Sequence, residues 1–184
     1  MKLAHTLFAL AALTLVTSLP LTAQAPRVST SEVTSVVVDG NRVTLAYGRP
    51  YAKDPKTGQV RKIWGGLVPF GQVWRTGANE ATLLVTQQPI DLGGTVIPAG
   101  AYTLFTLPNA DGSAQLIVNK QIGQWGTQYD QKQDFARVPL VRETLPAAVE
   151  QFTMRVERVS GGSGGVIKMM WETTQFSVPF TVKK

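Results

Sequence analysis

The sequence predicts an all-β fold, an antiparallel β-sandwich or jelly-roll in a single domain. Short β-rich runs follow one another along the chain, separated by residues that favour turns. Apolar and polar residues alternate in the C-terminal third, as in strands with one buried face. No stretch keeps the three- and four-residue apolar spacing long enough for a substantial helix. We therefore expect about eight to ten short antiparallel strands.

Turn residues place two hairpins in the first part of the exported chain. Asp39-Gly40-Asn41 separates the β-rich residues 33–38 from residues 42–47. Gly93-Gly94 divides a second pair of short runs, within residues 90–97. The other β-rich runs of this part are residues 81–86, 102–107 and 115–119.

The C-terminal third has the clearest strand pattern. Phe152, Met154 and Val156 alternate with polar residues, which predicts a strand with one buried face. A glycine- and serine-rich connector, residues 160–165, separates this strand from the last β-rich stretch. Pro179 lies in that stretch and predicts an edge strand or a bulge, because proline has no N–H for a sheet ladder.

Two segments have little strand character, residues 48–79 and residues 121–134. Irregular segments of this length in a compact domain are usually functional loops or carry packed structure of their own. We expect one or both of these roles here.

Residues 1–25 have the features of an export signal. A lysine precedes the almost unbroken apolar residues 7–21, and Ala23-Gln24-Ala25 fits the signal-peptidase pattern. Pro26 disfavours cleavage directly before it, so a retained membrane anchor is the alternative to a cleaved signal peptide. Either way, we expect residues 26–184 to form one exported domain, periplasmic or at the outer face of the inner membrane. Any membrane contact is expected from the N-terminal segment.

The composition excludes several classes of chemistry. The 184 residues include one histidine and no cysteine, and His5 lies in the export segment. The exported domain therefore lacks histidine triads, thiol nucleophiles, disulfides and imidazole or thiolate metal ligands. Without Lys2, 17 basic residues stand against 12 acidic residues, a net charge of +5. We expect no metal, no cofactor and, because the domain is exported, no nucleic acid partner.

The residue types best suited to recognition are concentrated around the first irregular segment. Tryptophan offers a large amphipathic surface, arginine a planar fork of donors, and asparagine both a donor and an acceptor. Two interpretations stay open: a binding wall or hot spot, and a structural lid in which Arg75 pairs with Glu80. Trp125 and Tyr129 are candidates for stacking on a sugar ring or docking on a partner. The candidate binding residues are Arg49, Trp64, Trp74, Arg75, Asn79, Glu80 and Trp125.

Carboxylate acid–base catalysis is the one enzymatic route that the composition leaves open. Its candidates are Glu80, Asp130, Asp134 and Glu172. Glu80 and Glu172 lie near tryptophan-containing segments, where desolvation raises a carboxyl pKa. The chain has no phosphate-binding glycine motif and no calcium-loop pattern.

Several blocks resemble a known bacterial family. The first three are Tyr47-Gly48-Arg49-Pro50, Trp64-Gly65-Gly66-Leu67-Val68-Pro69 and Val73-Trp74-Arg75-Thr76-Gly77-Ala78-Asn79-Glu80-Ala81-Thr82. They are similar to the signature of an exported family catalogued as domain of unknown function number twenty-nine-eleven. Residues 97–106 and Gln124-Trp125-Gly126 resemble its later blocks. The resemblance implies an exported β-rich domain and transfers no catalytic residue, since the family has no established activity.

We expect a non-catalytic extracytoplasmic interaction module, an accessory or structural subunit that docks on a larger envelope or membrane protein complex. The basic residues of the first irregular segment indicate an acidic protein face or anionic lipid headgroups as the target. A solvated loop that has no target explains the same basic residues and is the alternative. A second hypothesis is a binding protein for a small polar ligand or a carbohydrate. A third is a histidine-free, carboxylate-dependent hydrolase built on Glu80 or Glu172. The basic residues are Arg49, Lys53, Lys56, Arg61 and Lys62.

Overall fold

The computed structural model describes residues 27–160 and 163–184. The predicted export segment, residues 1–25, lies outside these described residues. Within them the chain forms one nine-stranded antiparallel sheet and a short 3-10 turn, with no α-helix. The prediction of an all-β antiparallel fold is confirmed.

The strands lie in the order β1-β2-β3-β6-β7-β8-β9-β4-β5, and every neighbouring pair is antiparallel. The 3-10 turn, Gln131–Gln133, precedes β8. The strands are β1 Thr30–Val38, β2 Asn41–Arg49, β3 Thr82–Thr86, β4 Ile90–Leu92, β5 Thr95–Ile97, β6 Gly100–Pro108, β7 Ala114–Asn119, β8 Asp134–Arg158 and β9 Gly165–Val182.

Both predicted hairpins are present. Asp39 and Gly40 connect β1 to β2 with φ of 48° and 80°. Gly93 and Gly94 connect β4 to β5 with φ of 57° and 89°. Two consecutive positive φ values define the turn whose twist matches that of the flanking strands. Glycine and aspartate tolerate this region, which explains why the sequence signal was reliable here.

β8 is the strand that the sequence did not predict at its full length. Its first part, up to Leu140, pairs with β7, and its second part, from Val141, pairs with β9. The second part also contacts β1 and β2, so the sheet folds back over itself. Most side chains between Val141 and Glu150 are exposed, so this stretch shows no alternation of buried and exposed residues.

Pro179 lies in β9 where that strand changes its partner. Ser177 is the last β9 residue paired with β8, and Phe180 is paired with Leu92 of β4. The expectation of an edge strand is wrong, because β9 lies between two neighbours. Pro179, which has no backbone N–H to donate, lies between the β8 ladder and the β4 ladder. The Pro179 carbonyl accepts a hydrogen bond from the Gly93 N–H at 3.0 Å.

A single hydrophobic core takes side chains from every strand. Along β2, Val43, Leu45 and Tyr47 are buried and alternate with more exposed neighbours. Each fully buried aliphatic side chain contributes about 1.5–3 kcal/mol. A smaller cluster of Phe105 and Ile117 lies outside this core, where Tyr129 covers it. The second irregular segment thus packs on the sheet.

The first irregular segment also packs on the sheet, although it contains only isolated bridges. We call residues 50–80 the long loop. It pairs with β6 through Trp74 and Thr106, whose N–H and C=O groups exchange two hydrogen bonds of 2.8 Å. Its end passes directly over Gly48, where an added Cβ would lie 2.0 Å from the carbonyl oxygen of Ala78.

The contact at Gly48 predicts the effect of adding one methyl group. Gly48→Ala places the new Cβ against backbone atoms, which cannot rotate away, so we expect a loss of about 3 kcal/mol in the free energy of unfolding. The control is Gly58→Ala, at an exposed glycine with open space and φ of 72°, for which we expect a loss of about 1 kcal/mol. Urea denaturation measures both. Equal losses would contradict the close approach as the reason for glycine at position 48.

Candidate functional site

Trp64 and Trp74 pack in an aromatic cluster with Trp171, Phe152 and Phe176. The Trp74 ring stacks on Trp171, with centroids 5.7 Å apart and an interplanar angle of 18°. Trp64 meets Phe176 edge-on at 5.3 Å, and Trp74 meets Phe152 edge-on at 5.1 Å. Trp171 and Phe152 are each only 1% exposed. The two tryptophans of the long loop therefore contact the interior of the domain.

Apolar anchors hold the same part of the long loop. Ile63 and Val68 are fully buried, and the Val68 N–H donates to the Ile63 carbonyl at 2.9 Å. The Gly65 N–H in turn donates to the Val68 carbonyl at 2.9 Å. Leu67 and Phe70 lie outside these anchors, 46% and 40% exposed. The loop thus presents two apolar side chains on a fixed backbone.

Arg49 joins three strands through its guanidinium group. One nitrogen lies 2.7 Å from the Glu32 carboxylate of β1, and the others donate to the Phe152 carbonyl and the Thr153 hydroxyl at 3.1 and 2.9 Å. The side chain is about three-quarters buried. These contacts fix the end of β2, at which the long loop begins.

Glu80 and Trp125 meet on the surface, away from the aromatic cluster. Their backbones form an isolated antiparallel bridge. Arg27 pairs with the Glu80 carboxylate at 2.5 Å, and its guanidinium lies 5.8 Å from the centre of the Trp125 ring. Partial burial raises the pKa of Glu80. A hydrogen bond from its own backbone and the Arg27 guanidinium lower the pKa by more than burial raises it, so the pKa lies below its ordinary value. The structural-lid interpretation predicts an ion pair between Arg75 and Glu80. This prediction is wrong, because Glu80 pairs with Arg27.

Three predicted residues, Trp74, Arg75 and Asn79, line one cavity, and Tyr51 and Arg61 line it as well. We call this the basic cavity. Its volume is about 250 Å³. Partial burial lowers the pKa of the Arg75 guanidinium below its ordinary value. Arg61 belongs to the basic run predicted from the sequence, but no sequence pattern connects it with Arg75 or singles out Tyr51.

Gly126 explains how Arg75 and Asn79 are placed. An added Cβ at Gly126 would lie 2.5 Å from Cδ of Arg75 and 2.9 Å from the carbonyl oxygen of Asn79. The Gly126 N–H donates to that carbonyl at 2.9 Å. Asn79 has φ of 64°, and its side-chain amide donates to the Ser29 carbonyl at 3.2 Å. The second irregular segment therefore fixes one side of the basic cavity.

The four candidate carboxylates do not form one group: Asp130 and Asp134 flank the 3-10 turn, whereas Glu80 and Glu172 line two other cavities. Asp130 caps the 3-10 turn by accepting from the Lys132 N–H at 2.9 Å. Asp134 accepts from the Tyr129 hydroxyl at 2.7 Å and from Arg137 at 2.8 Å. Burial and the Asp134 carboxylate raise the pKa of Tyr129 to about 12. No sequence motif signals this network, because it depends on side-chain hydrogen bonds that join Tyr129 of the second irregular segment to Asp134 and Arg137 of β8.

Glu172 lies in β9 and lines a second cavity, together with Glu150 and Val149. It pairs with Val149, where the β8–β9 register shifts, and it has φ of 50°. Burial, and then the nearby Glu150 carboxylate, raise the pKa of Glu172 above its ordinary value. Glu80 and Glu172 line different cavities, so the described residues do not bring them together as an acid–base pair.

Residues 27–160 and 163–184 contain no group of three or more histidine, cysteine, aspartate or glutamate residues placed to hold a metal ion. The same residues contain no helix of the length and hydropathy that crossing a membrane requires.

A family model described as a protein of unknown function (DUF2911) matches residues 29–180. The match spans most of the chain and confirms the family that the sequence blocks resemble. No curated protein and no solved structure matches the chain.

The aromatic cluster predicts different roles for two of the tryptophans. Trp74→Ala removes a ring stacked on Trp171, and we expect a loss of about 3–5 kcal/mol in the free energy of unfolding. Trp125→Ala removes a ring that is 40% exposed, and we expect a loss below about 1 kcal/mol. Chemical denaturation of both variants measures the difference. A loss at Trp125 as large as that at Trp74 would contradict this assignment.

The raised pKa of Glu172 predicts that removing its charge stabilises the protein more at neutral pH than in acid. The folded state holds the Glu172 pKa above the ordinary value of 4.5, so folding favours the protonated carboxyl. Stability from this group is present in acid and is lost as pH rises through the folded pKa. We expect Glu172→Gln to raise the melting temperature at pH 7 more than at pH 4. Thermal unfolding at both pH values measures this, and a gain that is larger at pH 4 would show the opposite sign.

Proposed function

The chain belongs to the DUF2911 family, and we propose that it is a non-catalytic extracytoplasmic interaction module, an accessory or structural subunit. Its partner is a larger protein complex of the cell envelope, and the long loop supplies the contact surface. Residues 1–25 act as a signal peptide or a retained anchor, and residues 26–184 form one domain. We also propose that the folded-over sheet is a β-sandwich, because both of its parts contribute to one core.

The observation that carries this proposal is an exposed apolar pair on an anchored backbone. Leu67 and Phe70 are exposed. Val68, which lies between them in the sequence, and Ile63, which precedes them, are fully buried. The Leu67 N–H donates to the Lys62 carbonyl at 2.9 Å, and the Gly71 N–H to the Pro108 carbonyl at 2.8 Å. A surface already held in one conformation loses little entropy when it binds, so its apolar contacts contribute more fully to affinity.

The exposed lysines of the long loop favour an acidic partner. Lys53, Lys56 and Lys62 are exposed on the same loop. Complementary charge speeds encounter and suppresses wrong partners, while buried apolar contacts supply affinity. An envelope protein with an acidic rim around an apolar patch therefore suits the long loop best.

The partner surface can be tested with a double variant and a matched control. We expect Leu67→Gln with Phe70→Gln to abolish co-purification of the partner after mild detergent extraction, because it removes both exposed apolar contacts. Val96→Gln with Val141→Gln changes two valines of comparable exposure, 51% and 56%, elsewhere on the sheet, and we expect it to retain the partner. Quantitative mass spectrometry of the native pull-downs compares the two variants with wild type.

Two outcomes would overturn the interaction module. One is a protein that stays a lone monomer at every step of native purification. The other is a partner recovered equally from both double variants. Thermal unfolding checks that each variant is folded. We expect both to be folded, because exposed substitutions of this kind change the free energy of unfolding by about 0.5 kcal/mol.

A second candidate function, binding of a small polar ligand, is favoured by the basic cavity. Trp74, Arg75 and Asn79 line it together, as the ligand-binding hypothesis requires. Trp64 and Glu80 do not line it. The proposed ligand site therefore keeps Trp74, Arg75 and Asn79. It leaves out Trp64 and Glu80 and adds Arg61 and Tyr51.

A further inference from the structure

Among the described residues, the wall of the basic cavity has positive groups and no negative ones. The positive groups are Arg61 and Arg75, and no aspartate or glutamate within residues 27–160 and 163–184 lines the cavity. Tyr51, Leu67 and Trp74 supply an apolar part of the wall. The volume of about 250 Å³ lies just below that of pockets for drug-sized ligands, so the cavity suits a smaller molecule.

Arg75 differs from Arg49 and Arg137, each of which has a carboxylate partner, because Arg75 has none among the described residues. Arg49 and Arg137 form ion pairs with Glu32 and Asp134, at 2.7 and 2.8 Å. Across residues 27–160 and 163–184, no carboxylate lies within ion-pair distance of Arg75. Burial without a counter-charge is unfavourable, and it lowers the pKa of the Arg75 guanidinium. An anion bound beside Arg75 would supply the missing charge.

The backbone around Arg75 is fixed on both sides. Trp74 exchanges two hydrogen bonds with Thr106, and the Thr76 hydroxyl lies 2.7 Å from the Thr106 hydroxyl. Gly126 packs against the aliphatic part of the Arg75 side chain. Because these contacts already hold the arginine in place, binding requires little reorganisation.

Arg61 also lines the basic cavity and is held by backbone carbonyls. Its Nε donates to the Ala52 carbonyl at 3.3 Å, and one Nη donates to the Tyr51 carbonyl. A guanidinium group has five N–H donors, and these contacts use two of them. Guanidinium groups match the planar geometry of carboxylates and the oxygens of phosphates, so the pair is suited to an oxyanion.

We infer that the basic cavity binds a small organic oxyanion, a carboxylate or phosphate group carried on an apolar body. Arg75 and Arg61 contact the oxyanion, and Tyr51, Leu67 and Trp74 contact the body. The inference rests on the ligand-binding function named above as the second candidate and specifies its ligand class. It does not require the protein partner.

The experiment titrates the full-length protein with sodium benzoate, phenyl phosphate and neutral benzamide, each up to about 10 mM. Nitrogen-15 NMR follows the Nε signal of Arg75 and the indole signal of Trp74. We expect saturable shifts of both signals with benzoate or phenyl phosphate, and binding of benzamide at least about tenfold weaker. Comparison of the two anions identifies the preferred oxyanion. No saturable shift with either anion, or equal binding of benzamide, would overturn the inference.

Two variants locate the binding. We expect Arg75→Gln to weaken binding of the preferred anion at least about tenfold. Lys62→Gln removes the same charge from an exposed position of the long loop that does not line the cavity, and we expect a change below about twofold. Equal binding by wild type and Arg75→Gln would place the anion elsewhere and overturn the inference.

The remaining outcomes separate this inference from the interaction module. If Arg75→Gln does not fold, Arg75→Lys and the wild-type titration still decide, because the Arg75 and Trp74 signals report the site directly. If no anion binds while the partner is lost only from the Leu67 and Phe70 double variant, the ligand inference fails and the interaction module stands. If anions bind but no partner is recovered, the reverse holds.

Discussion

The packing of Trp64 and Trp74 against Trp171 positions both candidate binding surfaces of the long loop. The long loop has only isolated bridges to the rest of the chain, so no continuous ladder fixes its backbone. The aromatic cluster and the buried Ile63 supply the attachment instead. Exposed Leu67 and the wall of the basic cavity both depend on it, because they lie on the same loop.

Close backbone contacts complete this attachment and give the family blocks a physical reading. Gly48 allows residues 77 and 78 to cross the end of β2, and Gly126 allows the second irregular segment to reach Arg75 and Asn79. Any side chain at either glycine would collide with backbone atoms. The sequence blocks around these glycines therefore reflect the packing of two loops on the sheet. The basic cavity lies beside these contacts, and its position is a consequence of them.

How far the fold could be predicted depended on how local the signal was. Asp39-Gly40 and Gly93-Gly94 specify turns by their own backbone preferences, so both hairpins were predicted correctly. The middle of β8 was missed, because its exposed side chains between Val141 and Glu150 carry no period-two pattern. The contact between Tyr129 and Asp134 was also missed, since hydrogen bonding between side chains leaves no periodic signal in the sequence.

The sequence by itself determined the all-β class, the family and the absence of histidine and cysteine from residues 26–184, since these follow from composition and local pattern. It also selected Trp74, Arg75 and Asn79. Only the tertiary structure decided that these three line one cavity with Arg61, and that Glu80 pairs with Arg27. Which side chains meet is set by the packing of distant segments, whereas turn preference and alternation act between neighbours along the chain.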